Sequence, residues 1–285
     1  MAITEWVIAY LFYAVVIVVS IFVIRFAVRW IMRHWPRRHR EQISLLVPYK
    51  SDHGVRERNW EWLRQYWAAE LPQAELIIGE DHGTPFCKTA AINRAARKAH
   101  GDVFVILDAD CYITGEQIKL AAIAIREARQ HGERRWFIPY RKLFRLTQAA
   151  SADVLASDPA DPLRFTEPPP AACVEGTHAS GHGHWYAAMI QIMPREAFEH
   201  LGGMDERFRG WGGEDVSFMF AIDTLWGKHK TLPGQVLHMW HPTIKGDWKF
   251  TRQWEGQDRA EQNDWLSGKY ERAFGDRQAM RRLLP

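Results

Sequence analysis

From Trp6 to Ile24 the chain reads WVIAYLFYAVVIVVSIFVI, nineteen residues without a charge. At 1.5 Å per residue such a helix is roughly 28 Å long, about the thickness of a bilayer core. A soluble core helix would show a polar face, and this stretch offers only Ser20 and two tyrosines. Glu5 precedes it, and Arg25, Arg29, Arg33, Arg37, Arg38 and Arg40 follow. A cleaved signal peptide has the reverse order, with positive charge first and small residues behind. The run is expected to be a single transmembrane helix, with the arginine side and everything after it in the cytoplasm. Arg25, Arg29 and Arg33 recur every fourth residue and would line one helix face. That face could set topology alone or lie on anionic headgroups.

Beyond the arginines the apolar runs shorten. ISLLV (43–47), the run at 76–78 and VFVIL (103–107) are apolar without alternation and predict buried strands. Between them, 55–70 places Trp60, Leu63 and Trp67 on one helical face, and the alanine-rich 87–100 predicts a second helix stopped by Gly101. A third helix is expected over 116–131. Strand and helix in alternation predict an α/β fold, a mostly parallel sheet with right-handed crossovers and a ligand crevice at the C-terminal strand ends. Farther along, 186–193 and 236–237 predict strands, and 195–201 and 215–226 predict helices. The polar tail over 249–285 is expected to be helical, and the five prolines of 157–170 mark a surface loop. Residues 1–35 are the expected anchor and basic juxtamembrane segment, and 36–285 one domain.

Composition changes little. The chain has 285 residues, is 47% hydrophobic and carries a formal net charge of +3, which gives no reason to expect a nucleic-acid partner. Its three cysteines form no CxxC pair, in keeping with a reducing compartment.

The candidate chemistry sits at strand ends. VFVIL runs into Asp108-Ala109-Asp110. On an extended chain, positions i and i+2 point the same way, so two carboxylates there need water, protons or a cation. A divalent ion with oxygen ligands answers that need, although an acidic loop after a strand is also common. His238 and His241, in HMWH, follow another apolar stretch and would shift the preference toward Mn²⁺, unless they are packing or surface histidines. His178, His182 and His184 form a second cluster, expected to be mainly a loop. At 210–215 the chain reads GWGGED. Glycines admit positive φ and close approach to a ligand, Trp211 could cover a sugar ring, and Glu214 and Asp215 open a helix. One carboxylate could then bind hydroxyls while the other accepts a proton. A plain helix cap is the simpler alternative.

Taken in order, these motifs resemble glycosyltransferases of the GT-A fold. DAD resembles their DxD metal motif. Residues 186–218 are similar to the C-terminal segment of β-1,4-galactosyltransferases and polypeptide N-acetylgalactosaminyltransferases, where GG-hydrophobic-DExF leads into WGGE-D/N. VPYK, CKTAAINRA and GDVFVILDAD resemble the first half of family 2 transferases. The resemblance covers roughly 43–245 and implies a Rossmann-like catalytic domain over 36–285. It implies that Asp108 and Asp110 hold Mn²⁺ (or Mg²⁺) and the donor, with His238 or His241 completing the metal site. Pro48, Tyr49, Glu80, Asp81 and Arg94 would line the nucleotide pocket, and Trp211 would pack over donor and acceptor. Asp215 would be the general base and Glu214 would bind sugar hydroxyls. The implied donor is a nucleotide-diphosphate sugar, most simply UDP-linked, and the acceptor a glycan, a lipid-linked molecule or a protein.

Two departures stand out. Glu80-Asp81 replaces the usual Asp-Asp, and 252–254 read RQW without a QxxRW motif, which argues against a processive synthase. WGGED in place of WGGEN favours inversion. A metal-dependent hydrolase built on Asp108, Asp110 and the histidines would leave VPYK and GWGGED without a role. A non-catalytic membrane scaffold would be expected to have lost DxD or the carboxylates after WGG, and both are present.

Overall fold

The computed structural model describes residues 42–163, 173–175, 189–210, 212–242 and 259–285. The expected anchor at 6–24, the histidines at 178, 182 and 184, and Trp211 lie outside the described residues. Among the described residues no helix is long and apolar enough to cross a membrane. Gln42–Pro285 form one compact unit.

The first half follows the apolar runs closely. β1 (Ile43–Pro48), α1 (Val55–Glu70), β2 (Glu75–Gly79), α2 (Lys88–Lys98) and β3 (Val103–Leu107) occur in that order. Asp52 starts α1 by accepting from the backbone N–H groups of Gly54, Arg56 and Glu57. The helix then buries Trp60, Leu63 and Trp67 as its spacing predicts, together with Trp62 and Tyr66. After β4 (Cys111–Tyr112) comes α3 (Gly115–Gln130), which opens on a Thr114–Gln117 capping box.

Next come β5 (Phe137–Ile138), β6 (Lys142–Leu146), α4 (Gln148–Ala156) and β7 (Cys173–Glu175). The chain continues through β8 (Ile190–Pro194), α5 (Arg195–His200), α6 (Glu214–Leu225), β9 (Lys230–Thr231) and β10 (Gln235–His238). Two helices close it, α7 (Arg259–Arg272) and α8 (Arg277–Leu283).

The main sheet has six strands in the order β2-β1-β3-β8-β5-β9. β1 runs parallel to β2 and β3, and β5 parallel to β9, but β8 runs antiparallel to both β3 and β5. The sheet is therefore mixed: β8 runs against the other five strands, which share one direction as expected. β8 enters the sheet from the end where β3 leaves it. It is nonetheless as fully buried as β3, and apart from Gln191 both strands are apolar.

A second sheet of four strands, β4-β10-β6-β7, adjoins the exit of β3. Of its short strands only β10 was expected from the sequence, and together they decide where the histidines lie.

Close packing at the end of β2 gives a test of this frame. A Cβ on Gly79 would sit 2.1 Å from the carbonyl oxygen of Ala91 in α2. Gly79→Ala must push α2 off the sheet, and such overpacking costs about 1–3 kcal/mol. The urea midpoint is expected to fall accordingly. An unchanged midpoint would contradict this seating of α2.

Candidate functional site

β3 ends at Leu107 and the chain turns at once, with the Cys111 N–H reaching the Asp108 carbonyl at 3.3 Å. Because the backbone turns, Asp108 and Asp110 do not share one side as an extended chain would require. Each carboxylate belongs to its own cluster.

Asp110 faces the second sheet. His238 lies opposite Cys111 in the β10–β4 pairing, so the sheet register brings HMWH beside DAD. The Met239 N–H donates to the Asp110 carbonyl at 2.8 Å and fixes the junction. His238 Nε2 is 3.7 Å from Asp110 Oδ1, and His241 Nε2 is 3.3 Å from Oδ2. Arg56, in the first turn of α1, donates to Oδ2 at 2.8 Å.

Burial alone would raise the Asp110 carboxyl, but His238, His241 and Arg56 hold it well below the usual range. Burial pushes His238 down to about 4, so its imidazole is neutral at physiological pH. His241 Nδ1 lies 2.9 Å from the Pro242 carbonyl, which can only accept. The other ring nitrogen, Nε2, is turned toward Asp110.

Asp110, Cys111 and His238 place potential ligand atoms within 4.8 Å of one another. Burial drives the Cys111 thiol well up, with Asp110 and Asp108 adding to the effect, so it is a thiol and a poor ligand. A carboxylate and two imidazoles are a donor set suited to Mn²⁺ or a similar ion.

Asp108 faces the other way. Lys88 Nζ lies 2.7 Å from Asp108, 2.8 Å from Asp215 and 3.5 Å from Glu214. Lys88 opens α2 and the two C-terminal carboxylates open α6, so one ammonium joins β3, α2 and α6. Its own burial would lower its pKa, yet the three anions hold it well above the ordinary lysine value. Burial pushes Asp215 up to about 8; Lys88 pulls against it, while Glu214 and Asp108 push further. Asp108 is raised by the same burial, opposed by Lys88. The expected simple cap is not seen, since α6 begins at Gly213 with φ 87° and no side-chain cap. Gln191, from β8, donates to the Asp215 carbonyl at 3.1 Å.

The expected nucleotide-pocket residues gather at the ends of β1 and β2. Pro48 is buried, and half-buried Tyr49 packs on Trp60 with ring centroids 5.6 Å apart. Asp81 accepts from Arg94 at 2.7 Å and from the N–H groups of Cys87 and Gly83. It thereby shapes the turn leading into α2. Glu80 is exposed, its nearest charged neighbour His82 at 3.9 Å.

Lys88 and Arg56 were not singled out from the sequence, although a signal was there. Each is a cation in the first turn of a helix, where the macrodipole disfavours positive charge. Such a residue needs a carboxylate from elsewhere.

Comparison with known proteins follows the same two halves. Residues 52–133 match the family model described as Glycosyl transferase family 2. Residues 171–230 match the model described as N-terminal domain of galactosyltransferase. No curated protein matches the chain in sequence. Among solved structures it is similar to the catalytic domain of Drosophila β1,4-galactosyltransferase 7 in complex with xylobiose. Identity is 14%, coverage 68% of this chain and 65% of that one, and the TM-score 0.36. A mutant of that enzyme with manganese, UDP-Gal and xylobiose gives the same identity and coverage and a TM-score of 0.35. GalNAc-T7 with UDP, GalNAc and Mn²⁺ is similar at 14% identity over 86% of this chain and 51% of that one, with a TM-score of 0.44. The chain thus spans less than two thirds of the length of these structures.

The lysine cluster makes stability depend on pH in a defined direction. A carboxyl raised from 3.8 to about 8 keeps its proton in the fold and loses it on unfolding, so this group's contribution falls as pH rises through that window. Lys88→Ala removes the cation these carboxyl groups share and leaves Asp108, Glu214 and Asp215 without it, a change worth on the order of 3 kcal/mol. Its destabilisation is expected to be small at pH 5 and largest near pH 9, read from urea midpoints. A pH-independent loss would contradict the cluster.

Proposed function

We propose that this chain, a GT-A glycosyltransferase similar to the β-1,4-galactosyltransferases, moves a sugar from a nucleotide-diphosphate donor to an acceptor hydroxyl with the help of a divalent metal. The observation that carries this is the division of the DAD carboxylates. One joins two histidines, and the other joins a lysine and the WGGED carboxylates. In this proposal Asp110, His238 and His241 hold Mn²⁺, which supplies Lewis-acid stabilisation of the departing diphosphate. The solved neighbours that carry UDP with manganese make a UDP-sugar the first donor to try.

Asp108 and Lys88 face the donor from the other side. Asp215 takes the proton of the acceptor hydroxyl. It must be ionised to do so, and Lys88 is the group that favours its anion. Glu214, held by the same ammonium, is placed to bind sugar hydroxyls. Attack assisted by a base opposite the leaving group inverts the anomeric centre. A scaffold without chemistry would have no use for three carboxylates gathered on one buried lysine.

The membrane anchor belongs to the same proposal. An uncharged run at 6–24 followed by arginines supports a single span with the catalytic domain in the cytoplasm. Retention of the full chain in membranes through alkaline extraction checks it, and release into the supernatant would refute it.

The chemical test is release of nucleoside diphosphate from a panel of nucleotide sugars. Slow turnover of one donor with Mn²⁺ is expected, abolished by EDTA and by Asp110→Ala. Asp215→Asn is expected to lose transfer by about 10²-fold or more while still binding donor. Wild-type rate should climb about tenfold per pH unit below pH 8, as a base of raised pKa requires. Turnover of no donor by folded, metal-loaded protein would overturn the proposal.

A further inference from the structure

The C-terminal helices lie beyond both matched segments, yet α7 touches the carboxylate loop at each end. The Asn263 side chain pairs with the backbone of Arg209 in both directions. Its oxygen accepts from the Arg209 N–H at 3.2 Å, and its nitrogen donates to the Arg209 carbonyl at 2.9 Å. Asn263 is 2% exposed, so this pairing is shielded from water. One helical turn on, Ser267 closes over the loop's other end. A Cβ on Gly213 would stand 3.1 Å from the Ser267 Cβ and 3.4 Å from the Asn263 carbonyl. Arg209 precedes GWGG and Gly213 ends it, and Glu214 and Asp215 follow directly.

Below this contact a second tie holds the approach to the loop. The Tyr270 hydroxyl donates to Asp205 at 2.9 Å, and Arg207 forms a bidentate pair with the same carboxylate. Arg207 also donates to the Leu283 carbonyl at the end of α8. On the opposite side, the Gly210 N–H reaches the Phe86 carbonyl at 3.1 Å, just ahead of α2 and Lys88. The loop is thus strung between α2 and α7. Three glycines at φ 72°, 106° and 87° give it little stiffness of its own.

We propose that Asn263 is a positioning residue for the transferase site. Its two-way pairing with Arg209, backed by Ser267 at Gly213, sets where Glu214 and Asp215 stand relative to Lys88. α7 thereby fixes both ends of the glycine stretch. The proposal rests on the transferase reading for its kinetics but not for its structural readout.

Hydrogen exchange of peptides spanning 205–216 tests it in the full chain. In Asn263→Ala, exchange there is expected to quicken about tenfold or more while β3 and β8 keep their protection. Mn²⁺-dependent release of UDP from the donor that turns over should fall about tenfold in kcat, with the Kd for UDP within about twofold. Ser267→Leu keeps the Arg209 pairing and presses on Gly213; it should give the same split between kcat and Kd. Unchanged exchange at 205–216 in both variants would overturn the proposal. So would quickened exchange spread evenly over the whole fold. If no donor turns over in the wild type, the transferase reading fails, and local exchange still decides the role of Asn263.

Discussion

Lys88 is reached by carboxylates from two other elements, Asp108 at the end of β3 and Glu214 and Asp215 at the start of α6. Three anions in a water-poor crevice repel one another strongly, and only a buried cation makes their meeting tolerable. Lys88 also sits at a helix N-terminus, where its charge is unfavourable unless it is answered. Each of these local arrangements is poor alone, and together they are satisfied. The ammonium therefore ties the end of β3 and the start of α2 to the start of α6. The raised pKa of Asp215 follows from the same shortage of positive charge.

The second centre depends on sheet register. β10 pairs with β4 so that His238 stands opposite Cys111, beside Asp110. A slip of one residue would turn His238 to the other face of the small sheet. The turn after Leu107 then sends Asp108 one way and Asp110 the other. A lysine-centred cluster and a histidine-centred cluster are thus built two residues apart. In the proposed reaction this separation would keep a metal's charge near the leaving group and leave the proposed base its own cation.

Much of this was legible in the sequence where a local pattern carries it. VFVIL, the helix over 55–70 and the helix behind GWGGED were plain from apolar spacing and glycine stops. The sense of β8 was not, because an apolar run does not state its direction. The two-residue strands β4, β5 and β9 are too short for any period, and it is β4 that brings His238 to Asp110. Lys88 lay within a stretch already matched by resemblance, but its partners are 20 and more residues away, and pairing at that range is set by the fold. Asn263 carried no local signal at all, being one asparagine in a polar tail.

The most direct test of the two-centre arrangement is Mn²⁺ binding, followed by electron paramagnetic resonance, in Asp108→Asn and Asp110→Asn. Asp110→Asn should lose high-affinity binding together with the nitrogen couplings of His238 and His241. Asp108→Asn should retain both, since that carboxylate belongs to Lys88. Equal loss in the two variants would contradict the arrangement and return both aspartates to one metal site.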